Sequence, residues 1–197
     1  MTIPTSALPY LKKQRSGFRN NTEWHGALIA ETEEIRSHVP GVVESITDIG
    51  CGVGIMAAMM YHHFDKPALF LVDGEGEPSD AVFGYTDTLS RYNSRGVIAD
   101  VLSANQVPLS SYVYFNASQG DQLPPIESDL IVSLLSCGYH YPISWYLDWI
   151  TRSLADDGAL VIDVRDGTDG MDVLYAVFDD VQVIHQRDKK ARVIARR

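Results

Sequence analysis

The stretch of sequence that decides the fold is Ile46-Thr47-Asp48-Ile49-Gly50-Cys51-Gly52-Val53-Gly54, and an apolar run from Ile55 to Tyr61 follows it directly. This order predicts a strand, a tight glycine turn and a helix. Glycines at alternate positions let the backbone bend sharply and approach a ligand closely. The helix behind the turn presents unpaired N–H groups and the positive end of its dipole. The stretch therefore predicts a nucleotide site at the carboxyl edge of a parallel sheet.

The composition is that of an ordinary globular protein. The chain has 197 residues, of which 45% are hydrophobic and 21% are charged, so we expect a single domain over 1–197. No run approaches the ~18 apolar residues of a membrane helix, and the N-terminus does not resemble a secretory signal. Two cysteines, Cys51 and Cys137, form neither a disulfide framework nor a zinc spacing. These observations predict a cytoplasmic protein without membrane association.

The charge distribution argues against a nucleic-acid substrate. The formal net charge is −10, whereas nucleic-acid binding proteins usually carry a basic excess that neutralises phosphates. The basic residues are few and partly terminal, with Lys12, Lys13, Arg15 and Arg19 near the start of the chain. A small local basic patch is compatible with this pattern, but a small-molecule substrate is the expectation.

The order of predicted elements indicates the fold class. Helices are predicted near 22–39, 53–64, 93–106, 143–154 and 169–177, strands near 42–48, 67–72, 111–115, 130–135 and 159–164, and a closing hairpin near 181–185 and 191–195. This alternation implies an α/β fold with a doubly wound, seven-stranded, mostly parallel sheet. The hairpin adds an antiparallel C-terminal strand, and helices are expected on both faces.

Two segments stand apart from the predicted core, which covers 42–197. Residues 1–40 form an N-terminal segment and helix that could act as a lid. Residues 1–21 are expected to be irregular, with Asn21 or Thr22 capping the helix. The polar connection over 74–91 is long, and loops of that length inside a compact domain are often functional.

Together these features resemble the class I S-adenosylmethionine-dependent methyltransferases, whose fold is Rossmann-like. The resemblance covers about 42–197 and is carried by the motif acidic-x-Gly-x-Gly-x-Gly from Asp48 to Gly54, by Asp73 at the end of the second strand, and by the stretches 129–133 and 154–161. A nicotinamide or flavin dinucleotide fold requires Gly-x-Gly-x-x-Gly, and Ile55 occupies the place of its third glycine. The terminal hairpin also disfavours that rival.

The resemblance implies a site for S-adenosylmethionine, with S-adenosylhomocysteine as the product. The turn would face the methionine portion, with Asp48 orienting the ammonium group, and Asp73 would accept hydrogen bonds from the ribose hydroxyls. Asn116 stands where many members carry an acidic residue near adenine, but its amide can both donate and accept. The expected cofactor contacts are Asp48, Gly50, Cys51, Gly52, Gly54, Asp73, Asn116, Ala117, Ser133 and Leu134.

The stretch over 136–142 is expected to line the acceptor side. Alignment and exclusion of water can supply much of the rate of methyl transfer, but an oxygen acceptor also benefits from a base. His140, with a reference pKa near ~6.5, is the candidate catalytic base; alternatively it only binds the loop backbone. The other expected acceptor contacts are Tyr139, Tyr85, Tyr92 and Arg165.

A second pair of polar residues ends the fifth predicted strand. Asp163 and Arg165 would orient a polar substrate or, as alternate residues on one face of a strand, pair with each other. Trp24 and Asn93 are further candidates for closing over a ligand.

The sequence thus predicts an enzyme that transfers a methyl group from S-adenosylmethionine to an oxygen, or a nitrogen, of a small molecule. The alternative is a non-catalytic or regulatory module that retains the fold and the cofactor affinity. Aminopropyl transfer on the same scaffold ranks last, since no dedicated diamine-binding acidic pattern is evident. The resemblance implies no metal and is compatible with a homodimer.

Overall fold

The structure is a computed structural model of the 197-residue chain. It describes residues 1–12, 15, 17–39, 41–77, 84–86, 93–117, 123–124, 126–187 and 189–197. Tyr92, one of the predicted acceptor contacts, lies outside the described residues, as does most of the long connection over 74–91.

The described residues form six α-helices and eight strands. The α-helices are α1 (Leu8–Leu11), α2 (Asn21–His38), α3 (Ile55–His63), α4 (Arg95–Ala104), α5 (Leu147–Ser153) and α6 (Gly170–Val177). The strands are β1 (Ser45–Ile49), β2 (Ala68–Asp73), β3 (Tyr112–Asn116), β4 (Ser128–Ser133), β5 (Ser136–Tyr141), β6 (Leu154–Arg165), β7 (Asp180–Arg187) and β8 (Lys190–Arg196). None of the described helices is both long and apolar enough to cross a membrane.

Seven of these strands form one sheet in the order β3-β2-β1-β4-β6-β8-β7. Strands β3, β2, β1, β4 and β6 are parallel, whereas β8 runs antiparallel to both β6 and β7. The predicted doubly wound sheet with an antiparallel C-terminal hairpin strand is confirmed. The strand order reverses between β1 and β4, and ligands of such sheets bind in the crevice at the carboxyl ends of the strands there.

Helices cover both faces of the sheet, as predicted. Along β4, Leu130 and Val132 point to one face and Ile131 points to the other, and all three side chains are fully buried. The first face packs against α2, α3 and α4, and the second against α5 and α6. A central strand that is apolar on both faces is typical of a parallel sheet covered by helices.

The N-terminal segment is more ordered than the sequence predicts. Instead of irregular chain, residues Thr5–Ala7 form a 3-10 turn and α1 follows. Ala7 and Leu11 are fully buried, in a cluster that includes Val53 of the glycine turn. The prediction failed because this short segment gains its structure from tertiary burial rather than from local helix propensity.

The cap of α2 also differs from the prediction. Asn20, rather than Asn21 or Thr22, caps this helix, because its backbone is extended and its Oδ1 accepts a hydrogen bond from the N–H of Glu23 at 2.9 Å. That is the geometry of an N-cap residue, which lies one position before the first helical residue.

The acceptor-side stretch forms a strand that the sequence did not indicate. Residues Ser136–Tyr141, which follow the predicted strand over 130–135, form β5, which packs against β6. The backbone N–H of Thr86 donates to the carbonyl of His140 at 2.8 Å. The partner segment lies far away in sequence, so no local pattern predicts the pairing.

Candidate cofactor and acceptor site

The turn between β1 and α3 requires glycine at three positions. Gly50, Gly52 and Gly54 have φ angles of 78°, 56° and 80°, in the left-handed region that residues with a side chain rarely adopt. A Cβ at Gly50 would also lie 1.9 Å from Oγ of Ser136. The turn and the start of β5 are therefore in direct contact.

Asp73, at the end of β2, fixes the conformation of this turn. Its Oδ2 accepts a hydrogen bond from the N–H of Gly52 at 2.6 Å, and its Oδ1 accepts one from the N–H of Gly74 at 2.7 Å. The side-chain amide of Asn93 donates to the carbonyl of Gly52. Burial raises the pKa of Asp73 to about 7, against the lowering effect of its hydrogen bonds to Gly52, Gly74 and Asn93.

Asp48, at the end of β1, is a buried carboxylate with an unsatisfied oxygen. The side chain is 4% exposed, and its Oδ2 has no hydrogen-bond partner among the described residues. Burial, followed by the negative charge of Asp73, raises its pKa to about 7. An unpartnered buried carboxylate oxygen is costly, so a cationic group placed beside it would be stabilised. S-adenosylmethionine carries an ammonium and a sulfonium, and the acidic turn fits such a ligand.

This pair of acids predicts how stability depends on pH. Their pKa values are raised from 3.8 to about 7 in the folded chain, so between about pH 4 and 7 the folded state binds more protons than the unfolded state. The contribution of Asp48 and Asp73 to the free energy of unfolding therefore decreases as pH rises through this window. We expect Asp48→Asn to flatten that decrease in urea unfolding measured from pH 4 to 8. An unchanged slope would show that Asp48 titrates normally.

The predicted adenine contacts lie next to Asp73. Asn116 is the register partner of Asp73 across β2 and β3, and its Oδ1 accepts a hydrogen bond from the N–H of Glu75 at 3.4 Å. Ala117 follows and is half-buried. The structure therefore places both residues at the same edge of the sheet as the glycine turn.

The predicted contacts at the end of β4, Ser133 and Leu134, have structural roles of their own. The hydroxyl of Ser133 is buried and donates to the carbonyl of Ile49 at 3.1 Å. Leu134 packs against the core on the α2, α3 and α4 face. A cofactor contact of these residues through the backbone stays a prediction.

Three of the acceptor-side residues lie together. The guanidinium of Arg165 is 5.2 Å from the centre of the Tyr139 ring, and the rings of Tyr139 and His140 meet edge to face at 5.0 Å. Tyr85 belongs to the segment 84–86 that pairs with β5 at His140. The structure therefore brings Tyr139, His140, Arg165 and the Tyr85 segment to one place.

The contacts of His140 favour one tautomer. Its Nδ1 is 2.9 Å from the carbonyl oxygen of Gly84 and 3.4 Å from the N–H nitrogen of the same residue. The shorter contact requires Nδ1 to carry the proton and donate it, which makes Nε2 the acceptor nitrogen. This is the tautomer that a histidine base needs, since the hydrogen bond of one ring nitrogen sets the protonation of the other.

Asp163 pairs with β8 and not with Arg165. It is fully buried, and its Oδ1 lies 2.8 Å from Nε of Arg192 while its Oδ2 lies 2.5 Å from Nζ of Lys190. Burial acts to raise the pKa of Asp163, but Arg192 and Lys190 outweigh burial and lower it. Asp163 and Arg192 are register partners on the antiparallel strands β6 and β8. A pattern within one strand therefore could not predict that they pair.

Further contacts within the predicted segments shape the site. Ser136, in the stretch expected to line the acceptor side, packs on Gly50 and shares a hydrogen bond of 2.7 Å with the hydroxyl of Tyr141. Asn93, a candidate for closing over a ligand, is buried against the glycine turn. The sequence indicated the segments that carry these residues, but no local pattern indicated their contacts with the turn or with each other.

No protein-family model and no curated protein sequence matches this chain. The solved structures that it resembles include residues 961–1257 of StiE, an O-methyltransferase, with a TM-score of 0.58 at 12% identity, covering 98% of this chain and 80% of that one. They also include precorrin-6y C5,15-methyltransferase from Geobacter metallireducens GS-15, with a TM-score of 0.57 at 14% identity and 86% of each chain covered.

A third similar structure is longer than this chain. It is a candidate O-methyltransferase from Nostoc punctiforme PCC 73102, with a TM-score of 0.56 at 12% identity and 87% of this chain covered. The chain spans 56% of the length of the Nostoc protein. The fold of this chain is therefore that of the class I S-adenosylmethionine-dependent methyltransferases. Sequence identities of 12–14% show the fold alone and do not identify the molecule that accepts the methyl group.

Proposed function

We propose that this protein is an S-adenosylmethionine-dependent methyltransferase that acts on an oxygen, or a nitrogen, of a small molecule in the cytoplasm. The observation that carries the proposal is the acidic glycine turn. Asp48 offers a buried carboxylate oxygen with no partner among the described residues, and Asp73 is bonded to the turn itself. A cationic nucleoside would offer a positive charge to Asp48 and ribose hydroxyls to Asp73. Both residues lie near the carboxyl ends of their strands, β1 and β2, where sheets of this kind bind ligands.

The residues of the turn would hold the cofactor, which supplies a methyl group activated for displacement. Glycine would let the backbone at Gly50 and Gly52 approach the methionine portion, and Asp48 would balance its ammonium. Asp73 would accept hydrogen bonds from the ribose, and Asn116, in the adjacent register position, would contact the base. Because Asp48 is already desolvated, its attraction to a cation is stronger than in water.

The acceptor would bind among Tyr139, His140 and Arg165. Nε2 of His140 would accept the proton of an acceptor hydroxyl, while Nδ1–H stays bonded to the carbonyl of Gly84. Arg165 and the ring of Tyr139 orient the acceptor, and the segment over 84–86 helps to exclude water. An oxygen acceptor is preferred, because it benefits most from such a base.

The acidic chain supports a small molecule over a nucleic acid as the acceptor, since a net charge of −10 repels polyanions. The alternative function is a regulatory module that binds the cofactor without turnover. Both functions include cofactor binding, and only the enzyme forms a methylated product. A screen of small hydroxyl and amine compounds with isotopically labelled S-adenosylmethionine distinguishes the two. Cofactor binding without any labelled product across the screen supports the module.

Replacing Asp73 tests the cofactor half of the proposal. Asp73→Ala removes the ribose acceptors and loosens the turn at Gly52, so the affinity for S-adenosylhomocysteine should fall by roughly 100-fold, or about 2.7 kcal/mol. Titration calorimetry measures this, and Asp157→Ala, at an exposed carboxylate, is the matched control. Thermal unfolding of the variant shows whether it still folds, and Asp73→Asn, which keeps one oxygen, should lose less affinity. Equal affinity in the alanine variant and the control would remove Asp73 from the cofactor site.

Replacing His140 tests the catalytic half. With an oxygen acceptor, His140→Ala should lower kcat by about 10² to 10⁴ and leave the affinity for S-adenosylhomocysteine unchanged. Labelled-methyl transfer measures the rate, and His63→Ala, at an exposed helix end, serves as control. Full turnover in His140→Ala would leave this histidine with the role of binding the backbone at Gly84.

A further inference from the structure

The N-terminal segment is basic within an acidic protein. Residues 1–22 include Lys12, Lys13, Arg15 and Arg19 and contain no aspartate or glutamate, while the net charge of the whole chain is −10. The proposed methyl transfer does not use these cations. The negative net charge of the chain repels anions in general, but these four cations would attract an anion to the N-terminal segment.

A cavity of about 630 Å³, open to solvent on one side, lies among these residues, between α1 and the start of α2. Its apolar lining comes from Leu8, Pro9 and Phe18, and its cationic lining comes from Lys12, Arg15 and Arg19. Ligand sites of small molecules commonly have volumes of roughly 300–1,000 Å³ and combine apolar walls with a few polar groups. The cavity has both properties.

Two of the three cations carry charge that no described carboxylate balances. Arg19 forms an ion pair with Glu23 at 3.2 Å, whereas neither Lys12 nor Arg15 forms one with any acidic side chain in the described part of the chain. Arg15 donates to Oδ1 of Asn21 and stands 5.6 Å from the centre of the Trp24 ring. A guanidinium fixed in this way loses little further freedom when it binds an anion.

We propose that this cavity binds a small amphipathic anion that is free in solution. The carboxylate or phosphate of the ligand pairs with Lys12 and Arg15, and its apolar body lies against Leu8, Pro9 and Phe18. A polyanion such as RNA would meet the acidic remainder of the chain, so a compact ligand suits the charge distribution better. The site is separate from the proposed methyl transfer, and its binding test requires no cofactor.

The cavity also lies close to the glycine turn. Phe18 packs against the cluster that contains Trp24 and Val53, and Val53 belongs to the turn between β1 and α3. A ligand against Phe18 would therefore contact the layer of side chains that covers the turn.

Titration calorimetry with the full chain tests the proposal, with octyl phosphate as the probe below its micelle concentration. We expect micromolar binding, at least tenfold weaker binding of inorganic phosphate, and about tenfold losses in Lys12→Ala and Arg15→Ala, which equal about 1.4 kcal/mol each. Arg152→Ala, an exposed cation on α5, should bind like the native chain. Because Arg15 contacts Trp24, thermal unfolding accompanies that variant, while Lys12 is exposed and its replacement should not affect folding.

The proposal would be overturned if the native chain did not bind octyl phosphate at millimolar concentration. It would also be overturned if Lys12→Ala and the native chain bound octyl phosphate with equal affinity. Tighter binding to phosphatidylserine vesicles than to monomeric octyl phosphate would assign the cations to a membrane surface. Tighter binding to a short single-stranded RNA would assign them to nucleic acid. Neither result would bear on methyl transfer, which is measured by labelled product.

Discussion

Gly50→Ala is expected to prevent the chain from folding stably. Its backbone has a φ of 78°, where an alanine is strained by about 1–2 kcal/mol. In addition, the new Cβ would lie 1.9 Å from Oγ and 2.3 Å from Cβ of Ser136. Such a clash cannot be relieved by a rotation of the serine side chain, because the Cβ of Ser136 is fixed to the backbone of β5. We expect a total loss above roughly 4 kcal/mol, which is exceptional for one substitution.

Two further variants separate the strain from the clash. Gly41 has a φ of 80°, and no atom lies within 4 Å of the position that a Cβ would take there, so Gly41→Ala reports the backbone strain alone. The double variant Gly50→Ala/Ser136→Gly removes the clash and should recover stability except for that strain and the lost hydrogen bond between Ser136 and Tyr141, which costs about 1–3 kcal/mol. Urea unfolding followed by circular dichroism measures all three. If Gly50→Ala lost no more stability than Gly41→Ala, β5 would not pack on the turn as the structure shows.

Arg192→Met is expected to have the second largest effect on stability. Arg192 is 3% exposed and joins Asp163 of β6 to Glu31 and Glu34 of α2. Removing one partner of a buried ion pair typically costs about 3–5 kcal/mol, because the remaining charge is left unpaired. Lys190 stays beside Asp163 and compensates in part, so we expect a loss of about 3 kcal/mol.

The control for this prediction is an exposed ion pair. Arg197 lies 3.5 Å from Asp156, whose side chain is fully exposed, and Arg197→Met should cost less than about 1 kcal/mol. The double variant Asp163→Leu/Arg192→Met removes the buried charge as well as its partner, and it should be more stable than Arg192→Met alone. A loss in Arg192→Met as small as that of the control would contradict the buried position of the network.

The sheet and its helices could be predicted because their signals are local. Leu130, Ile131 and Val132 belong to a short apolar run next to Asp129, and such a run predicts a strand that is buried on both faces. The cofactor half of the candidate site is local in the same sense. The glycine turn is one continuous segment, and Asp73 ends the next strand, so sheet topology alone brings them together.

The side chains on the acceptor side of the candidate site could be named from the sequence, but their arrangement could not. That arrangement depends on contacts between segments that are distant in sequence. Residues 84–86 pair with β5 at His140, and Arg165 reaches Tyr139 from the end of β6. The partner of Asp163 is Arg192, which is 29 residues away. Short segments such as α1 likewise acquire structure only when Ala7 and Leu11 are buried.

Titration calorimetry of the native chain with S-adenosylhomocysteine decides whether the acidic glycine turn is a site for S-adenosylmethionine. We predict one binding site with a dissociation constant of about 1 μM, or about −8 kcal/mol, and no comparable binding of a nicotinamide dinucleotide. Absence of binding by the folded chain at millimolar S-adenosylhomocysteine, or preference for the dinucleotide, would rule out the proposed cofactor site.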